Sequence, residues 1–162
     1  MDYAIVLPEL LVGSCPRSKT HIELLKTEGV TAVECLQNEE DFWYLGIDWM
    51  SMQHWYHDLG IELVHCPIID GDPGDLADKL PRAVQALSGL INHGHRVFLH
   101  CTAGVGRAPS VAVAYLHWVR GWPLDRAIEQ MKSVRDCDPN RWAIEEATEA
   151  FLQGQHEQED IT

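Results

Sequence analysis

The stretch His100-Cys101-Thr102-Ala103-Gly104-Val105-Gly106-Arg107 joins two segments of opposite character. Before it, Arg96-Val97-Phe98-Leu99-His100 is β-branched and aromatic, the composition of a buried strand. After it, Ala108 to Val119 is apolar over a helical length. The order strand, loop, helix predicts an anion-binding nest. Successive loop N–H groups turn inward, the helix N-terminus adds its positive end, and Gly104 and Gly106 let the backbone bend tightly. Thr102, Ala103, Gly104, Val105, Gly106 and Arg107 are the expected phosphate-binding set.

Those fields favour a charged sulfur, so Cys101 is read as a thiolate nucleophile. Arg107 returns over the loop with a planar fork that can hold two phosphate oxygens while the phosphoryl group moves. Together they predict attack of Cys101 on phosphorus, a cysteinyl-phosphate intermediate and its hydrolysis by water. This chemistry needs no metal and no cofactor. A buried structural cysteine beside a surface arginine is the bland alternative. The agreement of strand, loop glycines, arginine spacing and helix weighs against it.

H-C-T-A-G-V-G-R resembles the H-C-x5-R signature of cysteine-dependent phosphatases, and the length suits the compact dual-specificity group. The form C-T-A-G-V-G-R-A-P is similar to that of the glucan phosphatases, the laforin and plant starch-excess group. Ala108 stands where most cysteine phosphatases carry Ser or Thr, a departure shared with the plant enzymes. Three further stretches match the plant group: Gly13-Ser14-Cys15-Pro16-Arg17-Ser18, Cys35-Leu36-Gln37 with Tyr44-Leu45-Gly46-Ile47-Asp48, and Cys137-Asp138-Pro139-Asn140. Gly71 and Asp138 replace aromatics that family members carry. The resemblance implies a dual-specificity phosphatase fold and a phosphorylated glucan, or another phosphomonoester, as substrate. The rival enzyme reading is a phosphatase for phosphotyrosine, phosphoserine or a phosphoinositide-like small molecule. A phosphate-binding domain without turnover is the reading from another class.

The resemblance also points to a general acid. Asp70-Gly71-Asp72-Pro73-Gly74-Asp75 supplies three carboxyl candidates, and the family's acid opens this loop, which maps to Asp70. Asp72 is the runner-up, and Asp75 is expected to cap the following helix. Trp43 and Tyr44 fall in the segment that matches the family's recognition region, so they are candidates for stacking on sugar rings. Trp49, Trp55 and Trp118 are expected in the core. Cys35 matches a cysteine that pairs with the nucleophile in a plant glucan phosphatase, which makes it the candidate redox partner. His100 is expected to orient the loop and help hold the thiolate. No ligand spacing for a metal is present.

With 162 residues and 46% hydrophobic content, the chain can bury a core without staples. A net charge of −13 argues against nucleic acid or an anionic membrane as partner. Five widely spaced cysteines and no membrane-length apolar run predict a soluble intracellular protein, cytoplasmic, or plastidic if a transit peptide has been removed.

Alternating strand and helix patterns predict a single α/β domain over residues 1–153, a mainly parallel twisted sheet of four to five strands flanked by helices. Ser18 and Asp48 are candidate helix caps, Pro81 is expected in the first turn of a helix carrying Ala83 to Ile91, and a last helix over Arg141–Leu152 precedes a frayed polar tail, 154–162.

Overall fold

The computed structural model describes the backbone of residues 1–161 and the side chains of residues 1–154. Strands β1 (Tyr3–Leu7), β2 (Leu10–Gly13), β3 (Ala32–Cys35), β4 (Glu62–His65) and β5 (Val97–His100) form one sheet in the order β1-β2-β5-β3-β4. β1 pairs antiparallel with β2, and the other three pairings are parallel. The helices are α1 (Lys19–Thr27), α2 (Glu39–Leu45), α3 (Trp49–Asp58), α4 (Pro73–Asn92), α5 (Arg107–Trp118), α6 (Leu124–Val134) and α7 (Arg141–Ile161). This is the single α/β domain with a mostly parallel sheet that the alternation implies. None of these helices is long and apolar enough to cross a membrane.

The three central strands β2, β3 and β5 are buried on both sides because both faces are covered. Leu10, Val12, Ala32, Val97 and Leu99 pack in one cluster with α4, α5, α6 and α7. Leu11, Val33 and Phe98 turn the other way, into a second cluster with Ile22 and Leu25 of α1 and Met52 and Tyr56 of α3. The parallel register then sets Gly13, His100, Cys35 and His65 in one row at the carboxyl ends of β2, β5, β3 and β4. Loops leaving that row converge on one edge of the sheet, where open α/β folds bind ligands.

Ser18 and Asp48 cap α1 and α3 as expected. α4 begins much earlier than the position of Pro81 suggests. Asp72 is its N-cap, accepting from Asp75 N, with Pro73 at the first helical position, and Pro81 lies inside the helix. The capping role expected of Asp75 therefore belongs to Asp72. Asp75 instead accepts from Ile69 N and pairs with Lys79. α2 is an element the hydrophobic pattern does not announce. Asn38 and Asp41 form a reciprocal capping box at its start, and Gly46 ends it in the left-handed conformation. α7 continues through the stretch expected to fray, to Ile161.

Glu34 is the carboxylic acid within this packing. It lies fully buried in β3 with both carboxylate oxygens unpartnered, and burial alone raises its carboxyl well above the ordinary value. A group whose folded pKa is raised contributes stability below its unfolded pKa and loses it as pH rises toward the folded one. The contribution of Glu34 to stability therefore declines as pH rises above about 4.5. Glu34→Met, similar in shape and without the charge, is expected to be more stable at pH 7 by about 1–3 kcal/mol. Urea denaturation at pH 5 and pH 8 checks this: the margin of the variant over wild type grows with pH.

Candidate active site

β5 delivers the chain into the loop 101–106, and α5 starts at once behind it with Gly106 as N-cap. Four consecutive loop carbonyls are captured from outside. Thr102 O accepts from Cys15 N (3.0 Å), Ala103 O and Gly104 O from Arg135 (2.9 and 2.7 Å), and Val105 O from Asp138 N (2.8 Å). In a planar trans peptide the N–H opposes the C=O. The N–H groups of Ala103, Gly104, Val105 and Gly106 consequently face the concave side, with the N-terminus of α5 behind them. Gly104 has φ +70, and a Cβ there would lie 2.5 Å from Arg135 Nη2 and 2.6 Å from the Gly13 carbonyl carbon. Gly106 shows neither a positive φ nor a crowded Cβ, so the tight bend rests on Gly104.

Cys101 and Arg107 are brought together at the floor of this nest, 2% and 5% exposed. Arg107 donates to Asp41 through Nη1 (2.7 Å) and Nη2 (3.1 Å), and to Ile68 O through Nη1 (2.9 Å). Its Nε stands 3.4 Å from Asp70 Oδ1. Burial works against the charge on the guanidinium, but the Asp41 hydrogen bonds, with the charges at Cys101, Asp41 and Asp70, more than offset it, so its pKa is raised. Burial likewise pushes the Asp41 carboxyl up, while the Arg107 and Asn38 hydrogen bonds pull harder the other way and hold it below the ordinary carboxylate value.

Asp41 was not among the sequence candidates. It also accepts from the Thr102 hydroxyl (3.1 Å), which in turn accepts from Gln37 Nε2 (3.0 Å). Its one local signal is the capping box, which identifies a helix start and says nothing of a partner in α5. Arg135, the clamp on the outer carbonyls, carried no signal.

His100 fulfils half of its expected role. Nδ1 donates to Cys101 O (2.9 Å) and so fixes the loop entrance. The ring is fully buried, and burial pulls its pKa down to about 4. It is therefore neutral at pH 7 and lends the sulfur no positive charge. Cys35 sits beside His100 in the parallel ladder, and burial pushes its thiol up. It faces the Tyr56 side of the sheet, whereas Cys101 packs into the cluster on the other side. Both cysteines are free thiols.

Asp70 is 73% exposed and borders two hollows. One, of about 200 Å³, is shared with Gly106, Arg107, Asp138 and Asn140. The other, of about 460 Å³, is shared with Asn38, Asp41, Thr102, Trp43 and Tyr44. Trp43 and Tyr44 are each 83% exposed, so they are surface residues and fill no core position. Trp49 and Trp55 pack against the second core cluster and Trp118 against the first. A larger cavity of about 710 Å³ lies between α4 and Ala150, Phe151 and Gly154 of α7 and includes none of these groups.

The family model described as "Dual specificity phosphatase, catalytic domain" matches residues 15–144. The chain belongs to that family. Among curated relatives, it is 37% identical over 158 residues to the phosphoglucan phosphatase DSP4, amyloplastic, of Castanea sativa, covering 95% of this chain and 42% of that protein. It is 36% identical over 135 residues to laforin of Mus musculus, covering 76% of this chain and 41% of laforin. The chain thus spans less than half the length of either relative. Among solved structures, PTPMT1 matches with a TM-score of 0.74 at 22% identity, covering 95% of this chain and 99% of that one, which shows the shared fold.

Proposed function

We propose that the protein is a cysteine-dependent phosphomonoester hydrolase that removes phosphate from a phosphorylated glucan. The observation that carries this reading is the meeting of two hollows at Asp70: one bordered by Gly106 and Arg107 of the phosphate loop, the other by Thr102 and the exposed Trp43 and Tyr44. In the proposed mechanism a phosphate monoester docks on the loop amides and Arg107. Cys101 Sγ attacks phosphorus as the ester oxygen leaves, Asp70 gives that oxygen its proton, and water then cleaves the S–P bond to release phosphate.

The name of the Castanea sativa relative supports the glucan, and so does the charge of −13, which favours a neutral polymer carrying isolated phosphates over a polyanion. An intracellular location belongs to the same reading, and the chestnut relative's amyloplastic label supports the plastid.

Stacking on Trp43 and Tyr44 supplies remote binding rather than chemistry. Replacing both by Ala is expected to lower phosphate release from solubilised phosphoglucan about tenfold or more, from about 0.5–1.5 kcal/mol per aromatic contact. Turnover of p-nitrophenyl phosphate stays within about twofold of wild type. Equal losses on both substrates would remove the platform from the reading. Strong activity on a phosphotyrosine peptide with none on any phosphoglucan would overturn the glucan itself.

A further inference from the structure

A guanidinium presents five N–H bonds in a rigid planar fork. In Arg107 the two η nitrogens face Asp41, and Nη1 also reaches Ile68 O. What is left is the edge formed by Nε–H and the second Nη2–H, two parallel donors matched to two oxygens of a phosphate. Asp70, at 3.4 Å from Nε, lies along that edge. The Asp41 carboxylate is itself saturated: Oδ1 takes Thr102 Oγ1 and Arg107 Nη2, and Oδ2 takes Asn38 N and Arg107 Nη1. It is 9% exposed and anchored at the first turn of α2, so it has no freedom to follow the arginine.

We propose that Asp41 is a positioning residue that fixes the rotation of the Arg107 fork, so that the Nε/Nη2 edge faces the phosphate loop. This rests on the reading of Cys101 and Arg107 as phosphatase machinery. A negative charge this close to an anion site opposes phosphate binding by simple electrostatics. Its presence is intelligible when orientation outweighs charge, because a bidentate contact is lost by a small rotation that leaves the total charge unchanged. The same helix carries Trp43 and Tyr44, so Asp41 also ties the aromatic surface and the fork into one frame.

The two roles give opposite signs. Asp41→Asn retains size and an acceptor for the α2 cap but weakens the hold on the fork. If Asp41 were only a counter-charge, the variant would bind tungstate more tightly. As a positioning residue, its loss is expected to raise the tungstate Kd about tenfold and lower kcat on p-nitrophenyl phosphate about 100-fold, with the melting temperature within a few degrees of wild type. Asp41→Glu keeps the charge and the cap but moves the carboxylate by one methylene, and is expected to lower kcat about tenfold. It decides the matter alone if the Asn variant fails to fold. Tungstate affinity equal to or tighter than wild type, with kcat within about threefold in both variants, would overturn the assignment. A wild-type chain that neither binds tungstate nor turns over the ester would overturn this and the phosphatase reading together.

Discussion

Cys101→Ser is expected to abolish phosphate release, by about 10⁴-fold or more on any monoester, the scale reached when a covalent nucleophile is deleted. Tungstate binding should survive nearly intact. The four outward carbonyls from Thr102 to Val105 are held by hydrogen bonds from Cys15 N, Arg135 and Asp138 N, which do not use the thiol, so the nest keeps its shape without it. The sulfur-to-oxygen change is small, so the site at the loop floor should not collapse. Arg107→Lys separates the two halves of the site from the other direction. A lysine restores the charge and loses the fork, so both tungstate affinity and kcat fall, kcat by about 10²–10³ on the scale of a lost oxyanion donor. Calorimetric titration with tungstate beside steady-state kinetics distinguishes the two variants. Wild-type turnover by Cys101→Ser would end the covalent mechanism.

The parts of this site that were legible in the sequence are those built locally. Strand β5, the loop and α5 are contiguous, and each carries its own signal: β-branched and aromatic residues, then Gly104, then an apolar helix. What escaped is held together across the chain. The Asp41–Arg107 pair joins positions 66 residues apart, and no local pattern at either end encodes the other. Arg135 is likewise 31 residues from the carbonyl it clamps. The start of α4 failed for a different reason. Asp72-Pro73 and Pro81 both carry helix-start signals, and the first prevails because its carboxylate satisfies the Asp75 N–H. Pro81 is then tolerated mid-helix at the loss of one hydrogen bond. Glu34 is illegible for a third reason: alternation places it on a strand but does not reveal that both faces of that strand are dry.

The corrected start of α4 sharpens the choice of general acid, because it divides three nearby carboxylates among three tasks. Asp72 is occupied as the N-cap, and Asp75 holds Ile69 N and Lys79 and so sets the path of the chain just before Asp70. Asp70 is the one that points a carboxylate at the free edge of Arg107. Asp72→Asn is therefore expected to be nearly silent, since Asn caps a helix about as well as Asp. Asp70→Asn is expected to slow phosphate release from a sugar phosphate by about 10²–10³, within the range of general acid catalysis, and from p-nitrophenyl phosphate by less than about tenfold. The difference arises at the leaving group: a nitrophenolate departs without a proton, whereas a sugar alkoxide does not. Removing Asp70 also frees Arg107 Nε from its carboxylate neighbour, so tungstate affinity holds or improves while turnover falls. The pair of substrates assayed on both variants gives the result directly. A large, substrate-dependent loss in Asp72→Asn alone would move the acid to Asp72, and equal losses on both esters in Asp70→Asn would assign Asp70 to phosphate positioning instead of proton transfer.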